Sequence, residues 1–157
     1  MKKTIKILTI LLFGATSSFG QNISSADSLK IVKASETLFA AIETNDKEIL
    51  TNISTDKIYC IICSNSTDLS DSPYMFDKKD FLENHLEKIK ISESYQRAYK
   101  SDELILVKES GYRSDITAFW TIYQKDELAP GHEGGQFGVY FKKVNGEFKF
   151  AGMETIP

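Results

Sequence analysis

The chain has 157 residues, 41% of them hydrophobic and 26% charged, with 3 Pro, 9 Gly and 2 Cys. These values describe one ordinary globular domain and exclude a disordered tail, a collagen-like chain or a disulfide-dense scaffold. Nineteen basic against 22 acidic side chains leave a net charge of −3, without the clustered Lys and Arg that neutralise phosphate, which argues against nucleic acid and anionic lipid as partners.

Residues 1–20 read as a secretory signal rather than as part of the domain. Lys2, Lys3 and Lys6 supply a positive n-region, Ile7 to Phe13 an apolar h-region, and Ser18-Phe19-Gly20 small residues at the −3 and −1 positions. Cleavage is expected before Gln21. The apolar run is shorter than the ~20 residues that span a membrane, so no span is expected, and the short Lys-rich signal points to a bacterial periplasmic or secreted protein. Without the signal the chain keeps 16 basic and 22 acidic residues, a net charge of −6. One domain, residues 21–157, remains.

The elements follow in order. Residues 25–44 predict a long helix, with Leu29, Val32, Leu38, Phe39 and Ile42 near a 3.6-residue spacing and Ala34, Ala40 and Ala41 favouring it. Thr44-Asn45-Asp46 breaks that helix, and Asn45 or Asp46 caps a short second one through Leu50. The segment Lys57-Ile-Tyr-Cys-Ile-Ile-Cys63 is nearly all β-branched or aromatic and predicts a strand. Positions three apart on a strand lie ~10 Å apart on opposite faces, whereas a disulfide needs Cα atoms within ~7 Å. Cys60 and Cys63 are therefore expected to be buried free thiols, with no redox role and no zinc site. Ser64 to Pro73 is a polar loop, and Asp77 is the expected cap of a third helix from Lys78 to Lys90 that buries Phe81, Leu82, Leu86 and Ile89.

From Ser92 the period changes toward two. Ser94 to Lys100 reads as an irregular Tyr-rich strand, followed by strands over Glu103 to Glu109 and Asp115 to Gln124, with Gly111 at a turn between them. A Gly/Pro loop from Asp126 to Gly134 precedes two final strands, Gln136 to Lys143 and Glu147 to Thr155, around Asn145-Gly146. Asn-Gly between aromatic strands signals a two-residue hairpin turn. That turn sets Val144 opposite Glu147, Phe141 opposite Phe150, Val139 opposite Gly152 and Phe137 opposite Glu154. Phe137, Val139, Phe141, Phe148 and Phe150 then share one face, which must be buried against the helices.

Helices first and antiparallel strands after is an α+β plan. It resembles the nuclear-transport-factor-2-like superfamily, which includes the SnoaL-like cyclases and the ketosteroid isomerases. The matching residues are Leu38-Phe-Ala-Ala-Ile-Glu-Thr-Asn-Asp-Lys-Glu-Ile-Leu50, Lys79-Asp-Phe-Leu82 and Gly138-Val-Tyr-Phe-Lys-Lys-Val-Asn-Gly-Glu-Phe-Lys-Phe150. The resemblance covers residues 28–156. It implies N-terminal helices packed in a strongly curved antiparallel sheet, a cone whose open end is a pocket. In such enzymes a few Asp, His and Tyr inside the cone do acid/base chemistry.

Five residues are the candidates for lining that pocket. By the hairpin register Glu154 shares the face of Phe137, where desolvation would raise its pKa and suit it to general-base work. Tyr59 and Trp120 lie mid-strand, and His85 falls between Phe81 and Ile89 on the third helix. The expected function is binding of a small apolar or amphipathic ligand in a hydrophobic cone, without catalysis, cofactor or metal. One alternative is an acid/base isomerase, cyclase or dehydratase using Glu154, Tyr59 and His85. Another is a structural module that forms a homodimer through the outer sheet face, where Tyr140, Ala151 and Met153 would lie. His132-Glu133 lacks the H-E-x-x-H pattern of a metalloprotease.

Overall fold

The computed structural model describes residues 23–64, 72–109, 111 and 113–156. The expected signal and most of the 64–73 loop lie outside them. The first helix, α1 (Ser25–Thr44), begins where the Ser24 hydroxyl accepts from the Asp27 amide at 3.1 Å. It ends where Asn45 turns left-handed (φ 53°) and its N–H closes on Ala41 and Ile42. Its buried stripe is Ile31, Ser35, Leu38, Phe39, Ala41 and Ile42. Leu38, Phe39 and Ile42 are buried as expected, but Leu29 is 71% exposed; Ile31 and Ser35 form the N-terminal part of the stripe in its place. Asp46 caps the short α2 (Lys47–Ile53) by accepting from the Ile49 amide.

The first strand, β1, is Ser54–Cys60, and it stops before the second cysteine. Ile61–Cys63 forms a 3₁₀ turn instead. Side chains three apart eclipse in a 3₁₀ turn, which brings the Cα atoms of Cys60 and Cys63 to 5.3 Å and allows a disulfide between them. The expectation of free thiols is thus wrong. It rested on extending the strand through residues that the chain uses to turn.

A short strand not anticipated from sequence, β2 (Met75–Asp77), pairs antiparallel with β1. The third helix, α3, is continuous over 78–90, and Phe81–His85 within it is π-helical. Phe81, Leu82, Leu86 and Ile89 are buried as expected. Asp77 precedes this helix without a side-chain cap bond and pairs with Lys57 Nζ at 2.8 Å.

Residues 94–100 are not a strand. They form α4 (Glu93–Lys100), capped by Ser92, whose hydroxyl accepts from the Tyr95 amide. The strand reading followed the β propensity of tyrosine, but Tyr95 and Ala98 make one buried helical face. Arg97 fastens that helix to its neighbours. Its guanidinium donates to the Ile122 carbonyl and to Glu127, and it stacks 4.4 Å from the Tyr123 ring.

Strands β3 (Leu104–Lys108), β4 (Ile116–Tyr123), β5 (Gly135–Val144) and β6 (Glu147–Ile156) complete one six-stranded sheet in the order β2-β1-β6-β5-β4-β3. All neighbours run antiparallel except β1 and β6, which are parallel. The α+β plan, with helices packed against a curved sheet, is borne out. Asn145 (φ 52°) and Gly146 (φ 85°) make the hairpin turn, both in the left-handed conformation such a turn requires.

The hairpin register holds only near that turn. Val144 faces Glu147 and Phe141 faces Phe150, but Tyr140 already faces Gly152, so Ala151 is an extra residue in β6. Beyond this bulge Val139 faces Met153 and Phe137 faces Thr155, one position from the simple count. Met153 therefore lies in the core with Phe137, Val139, Phe141 and Phe150, while Tyr140 and Ala151 pack with Tyr59 in a separate small cluster. Met153 cannot belong to an outer self-association face, and Glu154 does not share the face of Phe137.

Candidate functional site

The helix-side face of the sheet is filled by aromatic rings in mutual contact. Phe39 meets both Tyr95 and Trp120, Tyr95 meets Phe137, and Phe81 meets Phe150, at centroid distances of 4.9 to 6.2 Å. What stays open lies at the edges of this packing. An opening of about 510 Å³ lies between α1 and the β5–β6 hairpin. Phe141 and Phe150 are buried in it, and Phe148, Ile53 and Ala34 are half-buried around them. Lys30, Lys33 and Thr37 border it from one side of α1, at positions three and seven apart that a helix places on one face. Lys149 and Glu147 border it from β6. A second opening of about 390 Å³ lies between α1 and α4 over Trp120, and a third of about 210 Å³ lies over Tyr59 beside Arg113 and Lys142.

The opposite sheet face carries the densest polar group. The Tyr140 phenol, the Glu154 carboxylate and the Arg113 guanidinium lie close enough to influence one another's protonation. Arg113 also lies 4.3 Å from the Tyr59 ring, which packs 5.7 Å from that of Tyr140. Nearby, Glu109 accepts from Ser114 Oγ at 2.8 Å and from Thr117 Oγ1 at 2.7 Å. Burial raises the Tyr140 phenol far above its ordinary range, and the Glu154 carboxylate adds to the rise. Burial also raises Glu154, with Glu109 adding to the rise, while Tyr140 and Arg113 pull the other way.

No known family matches the sequence at the level of family models, and no curated protein matches it. Solved structures do match. A nuclear-transport-factor-2-like protein of unknown function from Pseudomonas putida KT2440 superposes with a TM-score of 0.51 at 14% identity, over 85% of this chain and 88% of that one. The fold is the nuclear-transport-factor-2-like fold. A similar protein of unknown function from Shewanella oneidensis MR-1 gives a TM-score of 0.44 at 12% identity, over 82% of this chain and 98% of that one. At such identities the likeness concerns the fold alone.

Within this nuclear-transport-factor-2-like fold the five residues singled out from sequence do not line one pocket but divide between the two sheet faces and α3. Phe137 is fully buried in the core, and Trp120, 5% exposed, closes the floor of the second opening. His85 lies on α3 with its ring 4.4 Å from Phe76 and its Nε2 3.8 Å from an Asp80 oxygen. The π-helical turn places these two residues, five apart, on one side. His85 Nδ1 is buried without a hydrogen-bond partner among the described residues. Trp120 and Phe137 are cross-strand neighbours in the core, whereas Tyr59 and Glu154 lie on the face away from the helices, each beside Tyr140. Arg113 and Glu109 were not singled out from sequence, and Tyr140 was named only as part of an outer self-association face. Alternation along β5 places Tyr140 on this face, as expected, whereas Arg113 lies in a loop that carries no periodic signal. Asp115 is structural, accepting from the Lys143 amide at 2.7 Å. Among the described residues no cluster of His, Cys, Asp or Glu has the form of a metal site, and no helix is long and apolar enough to cross a membrane.

The state of Glu154 has a measurable consequence. A carboxyl whose folded pKa is raised holds a proton that the unfolded chain has already released. Its contribution to stability is full below the unfolded pKa and is lost as pH rises through the folded one. Glu154→Gln resembles the protonated form, so the variant should be more stable than the native protein near pH 8, with the gap closing toward pH 4. Urea unfolding across that range checks this. A gap that is constant with pH would contradict a raised Glu154.

Proposed function

We propose that the chain is an exported binding domain for a small apolar or amphipathic molecule, held between α1 and the β5–β6 hairpin. The observation that carries this reading is the opening of about 510 Å³ with its phenylalanine floor. Its size falls within the range of small-molecule sites, which are mostly apolar with a few polar groups for orientation. Two features support export. The first 20 residues have the order of charges and apolar residues of a cleaved signal, and a Cys60–Cys63 disulfide suits an oxidising compartment.

A second reading, an acid/base isomerase, cyclase or dehydratase, is favoured by the convergence of Glu154, Tyr140, Arg113 and Tyr59 on the other sheet face. A proton donor and an acceptor brought side by side are the minimum such chemistry requires.

Native mass spectrometry of the protein recovered from a bacterial periplasm tests both. The expected spectrum shows a chain beginning at Gln21 with one small molecule retained. Ala34→Trp, which fills the opening from α1, should abolish retention, whereas Tyr140→Phe should leave it intact. The opposite pattern would move the site to the Glu154 face. An uncleaved chain would remove the case for export.

A further inference from the structure

Resting on that reading of the opening under α1, we infer that its ligand is an anionic amphiphile: an aliphatic tail ending in a single carboxylate-like head. The charge around the opening runs against that of the whole chain. Outside the first 20 residues acids outnumber bases by 22 to 16, yet the lining holds three lysines and one glutamate. Lys30 and Lys33 stand exposed on α1, one turn apart, and neither is in an ion pair among the described residues. Lys149 faces them from β6. Its ammonium is held at 3.0 Å from the Asn52 carbonyl and at 3.2 Å from Glu147, whose side chain is 75% exposed.

The same rim orients a ligand. Phe141, Phe148 and Phe150 offer only apolar surface, which gains free energy from a tail in proportion to the methylenes buried. The two unpaired ammonium groups at the solvent side offer charge-assisted hydrogen bonds to a head group. Asp27, one turn before Lys30, acts on it only at longer range, because its ion pair is with Lys143 at 3.0 Å, and Glu36, one turn after Lys33, forms no ion pair with it among the described residues. A cationic head would meet two like charges, and a neutral one would leave them unused.

The test compares dodecanoate, dodecanol and dodecyltrimethylammonium, each below micelle-forming concentration, as competitors for an apolar fluorescent dye bound by the folded chain. Dodecanoate should compete several-fold to about tenfold better than dodecanol, the size expected of exposed ion pairs. Dodecyltrimethylammonium should be the weakest, and the preference should shrink as salt rises. Lys30→Glu combined with Lys33→Glu, two exposed changes that leave the core untouched, should reverse the order while retaining dodecanol binding. Equal competition by all three heads, or an unchanged order in the double variant, overturns the anionic assignment but leaves a binding site. If none of the three binds, or if Ala34→Trp binds dodecanoate as the native chain does, the site itself falls, and the head-group assignment with it.

Discussion

Phe137→Ala should lower stability by about 3–5 kcal/mol, the range for deleting a buried aromatic ring from a close-packed core, and Tm should fall by on the order of 10 °C. Phe137 is fully buried on β5, between β4 and β6, with its ring set edge-on to that of Tyr95 at 6.2 Å. Both neighbouring strands are fixed by their own ladders, so the site cannot collapse onto the vacated space. Phe148→Ala at the edge of the α1 opening should cost much less, because that ring is already half-solvated. Thermal and urea unfolding of the two variants measure the difference directly. Equal losses would mean that the interior beneath the helices is hollow, and that the ligand site belongs there rather than beside the hairpin.

The second large effect is expected at Gly152, where propensity and packing predict opposite signs. Glycine inside a strand costs about 0.5–1 kcal/mol relative to alanine, so on propensity alone a side chain should help. A Cβ built there falls 2.3 Å from the Tyr59 carbonyl oxygen and 2.9 Å from Tyr59 Cβ. The obstacle is backbone, which cannot rotate away, and Gly152 pairs with Tyr59 where the parallel β1–β6 ladder resumes after its irregularity. Overpacking of this kind typically costs 1–3 kcal/mol and more where the backbone must part. Gly152→Val, with the side chain best suited to a strand, should therefore lose roughly 3 kcal/mol. Gly138→Ala is the control. Its Cβ meets the edge of the Phe119 ring at 2.8 Å, a side chain that can yield, and its cost should be smaller. A neutral Gly152→Val would show that β1 and β6 do not approach this closely.

The sequence by itself determined what depends on neighbours close along the chain. Periodic apolar residues located α1 and the helix over 78–90, Asn45-Asp46 the start of α2, and Asn145-Gly146 a hairpin with the register nearest its turn. Those signals act within a few residues, as capping and turn conformation do. Tertiary structure decided the rest. Tyr59 crowds Gly152 from across the ladder, beside the extra residue at Ala151, and past that bulge every side chain of β6 changes face. So Met153 enters the core and Glu154 leaves it for Tyr140 and Arg113. Residues 94–100 become a helix because Tyr95 and Ala98 find a core to bury one face in and Arg97 reaches β4, partners more than 20 residues away. The opening under α1 unites positions over 100 residues apart. A two-residue period reports only which residues alternate; which face is inside is chosen by the distant surface that covers it.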